Sequence, residues 1–297
     1  MLQSMNSENR EMLLRDGRHL SFAAYGDEQG FPVIFCHGWP SSRCQAAYLD
    51  GQAKALGLRV ISPDRPGVGN SSRCPRSGFA EWTRDLTELV DDLGISRFAV
   101  FGVSGGGPYA LATSLELADR VVCTAVVCGA PPLNDPEDRA NMHWAYRTLA
   151  SMRRLRRWAF PKVVKMSDWM LDRGVDQPPM SWMLRSIPAV DREAIKAEEG
   201  WDMVVRSYRE AFANGPDGPL AEGELYLQAW DFDPSGITIP VGFWHGLDDA
   251  NLPCEAAKKL AGRIVGAETH WIADEGHYSL PLHYSQEVLE WLRKAFE

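Results

Sequence analysis

Hydrophobic residues along this chain follow two patterns in turn. Short continuous apolar runs are typical of strands buried on both faces of a sheet, and between them lie segments with the three-to-four-residue period of helices. The runs are Pro32–Cys36, Leu58–Ser62, Phe98–Phe101, Val121–Cys128, Pro240–Trp244 and Glu268–Ala273. This alternation predicts an α/β fold, in which helices cover both faces of a mostly parallel central sheet.

Turn and helix signals mark the segments around the predicted strands. Asp16-Gly17 is a hairpin turn signal between two apolar runs, so the chain should open with an antiparallel ribbon. The segment Phe79–Leu93 is amphipathic, and Gly94 follows it as a residue that favours the end of a helix. Further helices are predicted at Arg43–Leu56, from Pro108 onwards, at Pro253–Ile264 and at Leu282–Phe296.

The alternation breaks between Ala130 and Gly236. This stretch has a helical pattern interrupted by prolines, and it holds six of the 11 tryptophans and seven of the 10 methionines. We interpret it as an insertion over the carboxyl edge of the sheet. The predicted domains are therefore a core of residues 1–129 and 237–297 and a helical cap of residues 130–236.

Composition and net charge limit the kinds of molecule that we expect this protein to bind. The 297 residues include 31 Lys and Arg against 40 Asp and Glu, a formal net charge of −9 that disfavours nucleic acid and anionic membranes. The six cysteines form no Cys-x-x-Cys pair, and the polar N-terminal segment lacks the apolar core of a signal peptide. The most apolar stretch, Val121–Leu133, is shorter than the roughly 20 residues that span a bilayer. We predict a cytoplasmic protein with a small-molecule partner, without nucleic acid or membrane.

The sequence Gly102-Val103-Ser104-Gly105-Gly106 follows a buried strand and precedes a helix. A serine on such a sharp turn has a strained backbone, and the residues two before and two after it crowd the turn, so both must be small. Gly102 and Gly106 meet that need, which makes Ser104 the candidate nucleophile. The N–H of Gly105 would then point at the oxygen of the reacting carbonyl.

A seryl hydroxyl needs a base, and the base needs an acid that orients it. Among the seven histidines, His277 follows the last predicted strand on a short loop at the carboxyl edge of the sheet, where a base for Ser104 must lie. Asp248 and Asp249 follow the strand Pro240–Trp244 at the same edge. From position alone, either aspartate could be the acid.

Several motifs together resemble the α/β-hydrolase superfamily over almost the full length of the chain. They are His37-Gly38-Trp39-Pro40, Asp64-Arg65-Pro66-Gly67-Val68-Gly69-Asn70-Ser71, Gly102–Gly106, the register of Gly246, Asp249 and Pro253, and Gly276-His277. The chain is similar to the serine-nucleophile branch with an HGxP oxyanion loop, which has esterase and lactonase members. The order of serine, aspartate and histidine along the chain is also the order found in that superfamily.

The resemblance implies roles for individual residues. It selects Asp249 over Asp248 as the acid, and Asp135 is the position that some relatives use instead. The oxyanion donors would be the main-chain N–H groups of Trp39 and Gly105, and the peptide bond after Trp39 would be cis, as in HGxP relatives. Epoxide hydrolases and haloalkane dehalogenases of this fold use an Asp nucleophile, so a serine favours acyl chemistry.

The aromatic and methionine content of the predicted cap indicates an apolar substrate pocket. Trp39, Met142 and Trp144 are the residues we predict to contact the substrate. The sequence has no metal-ligand spacing and no cofactor motif, so we predict an enzyme without a cofactor or a metal.

These features predict a serine hydrolase that cleaves a small to medium apolar carboxylic ester or lactone through an acyl-enzyme. The same triad also suits hydrolysis of carbon–carbon bonds in vinylogous diketones, or perhydrolysis. From a different class, a hydrolase-fold protein that only binds a small molecule is the alternative. Turnover of p-nitrophenyl esters would indicate the esterase, and loss of absorbance by a coloured dienoate with little ester activity would indicate the carbon–carbon hydrolase. Thermal stabilisation by a ligand with negligible turnover would indicate the binding protein.

Overall fold

One sheet organises the fold. The computed structural model describes residues 9–74, 78–140, 142–151 and 156–297, and their strands form an eight-stranded sheet. In chain order the strands are β1 (Arg10–Leu13), β2 (His19–Gly26), β3 (Phe31–Cys36), β4 (Leu58–Pro63), β5 (Phe98–Val103), β6 (Val121–Val127), β7 (Val241–Gly246) and β8 (Glu268–Ile272). Their order across the sheet is β1-β2-β4-β3-β5-β6-β7-β8. Strand β2 runs antiparallel to β1 and β4, and the other pairs are parallel, which confirms the predicted α/β fold.

Helices connect these strands. In chain order the α-helices of the described residues are α1 (Asp50–Ala55), α2 (Phe79–Asp92), α3 (Gly107–Glu116), α4 (Pro136–Ala140), α5 (Trp144–Ser151), α6 (Arg156–Arg173), α7 (Met180–Leu184), α8 (Ala189–Lys196), α9 (Glu198–Ala211), α10 (Asp217–Leu225), α11 (Cys254–Ala261), α12 (Ser279–His283) and α13 (Ser285–Lys294). Residues 1–8 and 75–77 of the predicted core, and residues 141 and 152–155 of the predicted cap, lie outside the described residues.

Alternate side chains of the central strands face two layers of the core, because successive residues of a strand point to opposite faces. In β3, Val33 and Phe35 pack in a cluster with residues of α1 and α13. Ile34, between them, packs instead in the cluster that contains residues of α2 and α3. The continuous apolar runs of the sequence therefore reflect burial on both faces of the sheet.

The segment after β3 differs from its predicted form. Instead of one helix over Arg43–Leu56, the chain forms a 3₁₀ helix at Arg43–Leu49 and then α1. The N–H of Arg43 donates to Asp64 Oδ1 at 2.6 Å, and the side chain of Ser42 accepts from the N–H of Cys44. These contacts tie the first turn to the residue after β4 and hold it in the tighter form.

The chain between β6 and β7 forms helices α4 to α10 in the part that the structure describes. Some of these helices share an apolar cluster of their own, made of Met170, Leu171, Met180, Leu184 and Ile195. Helix α8 also packs against α12, and α9 packs against the 3₁₀ helix after β3. The assignment of residues 130–236 to a separate cap domain stays a prediction.

None of the helices within the described ranges combines the length and apolar character needed to cross a bilayer.

Candidate active site

Ser104 lies at the sharp turn between β5 and α3. Its φ angle is +52°, in the left-handed region that residues other than glycine rarely occupy. A Cβ atom on Gly106 would lie 1.9 Å from the carbonyl oxygen of Cys36, and one on Gly102 would lie 2.7 Å from the Cβ of Ala110. Both glycines are therefore needed because the turn has no room for a side chain at either position.

Two short contacts connect Ser104, His277 and Asp249. Ser104 Oγ lies 2.9 Å from His277 Nε2, and His277 Nδ1 lies 2.8 Å from Asp249 Oδ2. Because a carboxylate only accepts hydrogen bonds, Nδ1 carries the proton and donates to Asp249, which leaves Nε2 to accept from the seryl hydroxyl. This arrangement can remove the proton from Ser104 as its oxygen attacks a carbonyl carbon.

The surroundings of Asp249 keep it ionised. Its Oδ1 accepts from the N–H groups of Asn251 and Leu252 at 2.9 and 2.8 Å, and His245 Nε2 lies 3.3 Å from its Oδ2. Burial raises the pKa of Asp249, but the charge of His277 and the hydrogen bonds from both histidines lower it well below its ordinary value. The carboxylate can therefore stabilise an imidazolium at His277.

The other two candidates for the acid lie elsewhere. Asp248 is exposed to solvent. Asp135 is also exposed, and its Oδ1 accepts a hydrogen bond from the N–H of Glu137 at 2.8 Å. Of the three aspartates, the structure brings Asp249 to the imidazole.

The pH dependence of catalysis should reflect the environment of His277. Burial lowers its pKa, but the charge and hydrogen bond of Asp249, together with the charge of Asp191, raise it above the ordinary value. Only the neutral imidazole is a base, so a raised pKa moves the loss of activity to higher pH. We expect kcat/KM to fall on acidification with a midpoint above about 6.5. A pH profile measures this midpoint, and a value clearly below that of free imidazole would contradict the assignment.

The main chains of Trp39 and Gly105 meet beside Ser104. A Cβ atom on Gly105 would lie 3.1 Å from Trp39 N, and one on Gly38 would lie 3.4 Å from the Cβ of Ser104. The peptide bond between Trp39 and Pro40 is cis. The two predicted oxyanion donors are thus close to each other and to the nucleophile.

A buried ion pair supports the loop that carries Trp39. Arg65 is 2 % exposed, and it donates from Nη1 and Nη2 to the carbonyl oxygens of His37 and Gly38 at 2.6 and 2.7 Å. Its Nε lies 2.6 Å from Glu222 Oε1 in α10. Burial lowers the pKa of Arg65, but the charge of Glu222, together with smaller contributions from Tyr226, Tyr109 and Cys36, raises that pKa above its ordinary value. Arg65 therefore stays charged and links the loop to α10.

Tyr226 extends this network to the nucleophile turn. Its hydroxyl lies 2.8 Å from the carbonyl oxygen of Gly105 and 2.7 Å from Glu222 Oε1. Burial, followed by the charge of Glu222, raises the pKa of Tyr226 well above its ordinary value, so the hydroxyl keeps its proton and donates it. Helix α10 is therefore linked through Arg65 to the segment that carries Trp39, and Tyr226 after it contacts Gly105 directly.

Two cavities reach Ser104 and His277. The smaller has about 720 Å³ of empty space and the larger about 1450 Å³, open solvent at their mouths included. Both are lined mainly by apolar atoms. Trp39 lines both cavities, and Met142 lines the smaller one. Their contact with substrate stays a prediction. Methionines and aromatic residues surround the larger cavity, among them Met170, Met180, Met183, Trp201 and Tyr208.

The structure places Trp144 away from the position we predicted for it. Trp144 is 58 % exposed, and its ring packs on His143. Trp144 itself lines neither cavity. Tyr146, two residues further along α5, lines both cavities. Residues two apart point to nearly opposite sides of a helix, so Tyr146 faces the site and Trp144 faces outward.

One group of side chains could be considered for a metal. Ligand atoms of Cys128, Asp249 and His277 lie within 4.8 Å of one another in the described part of the chain. Burial raises the pKa of the Cys128 thiol well above its ordinary value, whereas a metal-bound cysteine is a thiolate. Asp249 and His277 already bind each other, so this group does not suit a metal.

We expect EDTA to leave the rate of hydrolysis unchanged. Transfer of the Ser104 proton to His277 would need no metal. Initial rates before and after incubation with EDTA test this. A loss of activity that Zn²⁺ restores would contradict it.

The sequence motifs do not include Asp191, Glu222 or Tyr226, although the structure places all three around the site. Each lies in the stretch between β6 and β7, where the sequence shows only a helical pattern. A weak signal is available, because Asp191 shares a helical face with the buried Ala194 and Ile195. An acid on an apolar face indicates a buried partner.

Comparisons with known proteins agree with the motifs. A sequence model of the Alpha/beta hydrolase family matches residues 33–291. The 2-hydroxymuconate semialdehyde hydrolase of Pseudomonas putida is 27% identical over 278 residues, which cover 89% of this chain and 88% of that protein. Haloalkane dehalogenase 2 of Mycobacterium tuberculosis is 38% identical over 101 residues, or 33% of this chain and 35% of that protein.

A solved structure of similar shape is the esterase from Exiguobacterium antarcticum. It superimposes with a TM-score of 0.71 and covers 97% of this chain and 100% of its own, at 18% sequence identity. At that identity, the similarity supports the fold.

Proposed function

The chain belongs to the alpha/beta hydrolase family, and from that premise we propose that it is a serine hydrolase of small to medium apolar carboxylic esters or lactones. The observation that carries the proposal is the hydrogen-bonded set of Ser104, His277 and Asp249. Ser104 Oγ lies 2.9 Å from His277 Nε2, and His277 Nδ1 lies 2.8 Å from Asp249 Oδ2. Ser104 and His277 also line two mainly apolar cavities. The acyl group and the leaving group of such a substrate are both apolar, and each needs a cavity.

In the proposed reaction, Ser104 Oγ attacks the carbonyl carbon while its proton passes to His277 Nε2. The developing oxyanion accepts hydrogen bonds from the N–H groups of Trp39 and Gly105, each worth roughly 2.7–4 kcal/mol of barrier. The bond to the leaving oxygen then breaks, and that oxygen takes the proton from His277. Asp249 stabilises the imidazolium in between.

Deacylation repeats these steps with water. His277 removes a proton from a water molecule that attacks the acyl-enzyme, and the proton returns to Ser104 Oγ as the carboxylic acid leaves. Both cavities are mostly apolar, so we expect the substrate to carry few charges. We further propose that residues 130–236 act as a cap, because their side chains form much of the lining of both cavities.

Hydrolysis of a carbon–carbon bond is the second candidate. It is favoured by the similarity to the 2-hydroxymuconate semialdehyde hydrolase, which extends over most of both chains. In this reading the bond next to a ketone breaks, and the leaving carbon takes a proton. Arg139 lines the smaller cavity and could bind a carboxylate of such a substrate.

A substrate series tests the proposal. Wild-type protein is assayed on p-nitrophenyl esters from acetate to dodecanoate, on lactones, and on a coloured vinylogous dienoate, with Ser104→Ala as the blank. We expect turnover of short to medium esters, with the preferred chain length reporting the size of the acyl cavity. Turnover of the dienoate with little ester hydrolysis would favour the second candidate. Thermal stabilisation by ligands without turnover would indicate a binding protein.

A further inference from the structure

Asp191 is a buried carboxylate in the first turn of α8 that binds the segment carrying the proposed base. Only 1 % of the surface of Asp191 is exposed to solvent. Its Oδ2 accepts from the N–H of His277 at 2.9 Å, and its Oδ1 accepts from the N–H groups of Tyr278 and Ser279 at 2.8 and 2.9 Å. Three consecutive main-chain donors thus converge on one side chain from a distant part of the chain.

Gly276, directly before His277, leaves the space that this contact needs. A Cβ atom on Gly276 would lie 2.3 Å from Asp191 Oδ2 and 2.4 Å from its Cγ. Only glycine leaves room for the carboxylate to lie against the main chain there. The glycine before His277 is therefore required because the Asp191 carboxylate occupies the space that a side chain would fill.

His277 is held at its main chain by Asp191 and at its imidazole ring by Asp249. Hydrogen bonds to an ionised acceptor are roughly twice as strong as neutral ones, and here they fix the main chain at three successive residues. Asp249 fixes the imidazole at Nδ1 from the loop after β7. The direction of the His277 side chain is therefore set jointly by the sheet and by α8.

We propose that Asp191 is a positioning residue for the base, so that docking of α8 on the loop of His277 is a condition for an active triad. This inference rests on the proposed function, because it concerns His277 as the base for Ser104. Asp191 itself contacts neither substrate nor Ser104 in this role. It acts through the main chain and through its charge.

Several titratable groups lie around His277. They are Asp249 after β7, Asp191 in α8, Cys128 after β6, Tyr146 in α5 and Tyr278 beside it. Of these, the two aspartates are the negative charges that favour the imidazolium. Removing one of them should therefore make His277 easier to deprotonate.

The test is Asp191→Asn, followed by the rate at which a fluorophosphonate labels Ser104 across a pH series, and by kcat and KM on the best ester. An amide cannot accept at both of its ends, so at least one main-chain hydrogen bond is lost. We expect the maximal labelling rate and kcat to fall about 10- to 100-fold with little change in KM. We also expect the acidic limb to move to lower pH, since a negative charge near His277 is gone.

Asp85→Asn is the matched control. Asp85 is also buried, and its carboxylate pairs with Arg18 instead of the His277 segment. We expect this variant to lose stability while its acidic limb stays at the wild-type position. If Asp191→Asn does not fold, amide exchange in wild-type protein replaces it. The amides of His277, Tyr278 and Ser279 should then exchange slowly, and fast exchange would overturn the proposal.

The outcomes separate this inference from the proposed function. Labelling of Ser104 in wild type, with the same rate and the same acidic limb in Asp191→Asn, leaves the proposed function intact and overturns the role of Asp191. Absence of labelling in wild type overturns the proposed function, and the inference falls with it.

Discussion

Replacing Ser104 with alanine is expected to lower kcat for ester hydrolysis by a factor on the order of 10⁴ or more, the scale for loss of a triad member. Without Oγ, no acyl-enzyme forms, and only water activated near His277 and the oxyanion donors remain to promote the reaction. Alanine keeps the Cβ atom, so the tight turn between Gly102 and Gly106 is preserved. The melting temperature should therefore change little. Initial rates and thermal unfolding, measured side by side, test both expectations.

Ser114→Ala is the matched control for this prediction. Ser114 is a buried serine in α3, the helix that follows the nucleophile turn, and its hydroxyl contacts Ala110 O at 2.8 Å and Thr124 Oγ1 at 2.6 Å. Its replacement should cost about 1 kcal/mol of stability through lost hydrogen bonds and leave kcat near wild type. Equal activity in Ser104→Ala and wild type would exclude Ser104 as the nucleophile.

Glu222→Gln is expected to lower the free energy of unfolding by roughly 3–5 kcal/mol, because it leaves the buried charge of Arg65 without its countercharge. The neutral amide is nearly the same size as the carboxylate, but it cannot balance the charge of the guanidinium. Activity should fall as well, since Arg65 holds the carbonyl oxygens of His37 and Gly38 directly before Trp39. Urea unfolding, followed by tryptophan fluorescence, gives the change in stability.

Glu224→Gln, two residues further along α10, supplies the control. Its carboxylate lies 3.7 Å from Arg157, whose side chain is 80% exposed, so the change should cost less than about 1 kcal/mol. The double variant Arg65→Met, Glu222→Met should recover much of the lost stability, while its kcat stays low because the loop before Trp39 has lost its donors. Equal unfolding free energies for Glu222→Gln and Glu224→Gln would refute the importance of the buried pair.

The sheet and the nucleophile turn could be predicted from the sequence because their causes are local. A strand buried on both faces needs a continuous apolar run, and a turn as tight as the one at Ser104 needs small residues at 102 and 106. The phase of a helix is harder to predict. Trp144 and Tyr146 are both large aromatic residues, but only the packing of α5 determines that Tyr146 faces the cavities.

Asp191 and Glu222 could not be assigned a role from the sequence because their partners are distant along the chain. His277 lies 86 positions after Asp191. Each acid belongs to an α-helix, Ala189–Lys196 or Asp217–Leu225, that also carries other acidic residues. Their burial depends on how α8 and α10 dock on neighbouring parts of the fold. A local sign is the apolar face that Asp191 shares with Ala194 and Ile195, and that face does not identify the partner.

If Ser104 is the nucleophile of a serine hydrolase, a fluorophosphonate should bind covalently to its Oγ. Wild-type protein is treated with a fluorophosphonate, and ester hydrolysis is followed in parallel with peptide mass mapping. We expect a single adduct, on the peptide that contains Ser104, with hydrolysis lost in proportion to labelling and no adduct in Ser104→Ala. Full hydrolysis by protein that is labelled at Ser104, or inactivation by an adduct on another residue, would contradict it.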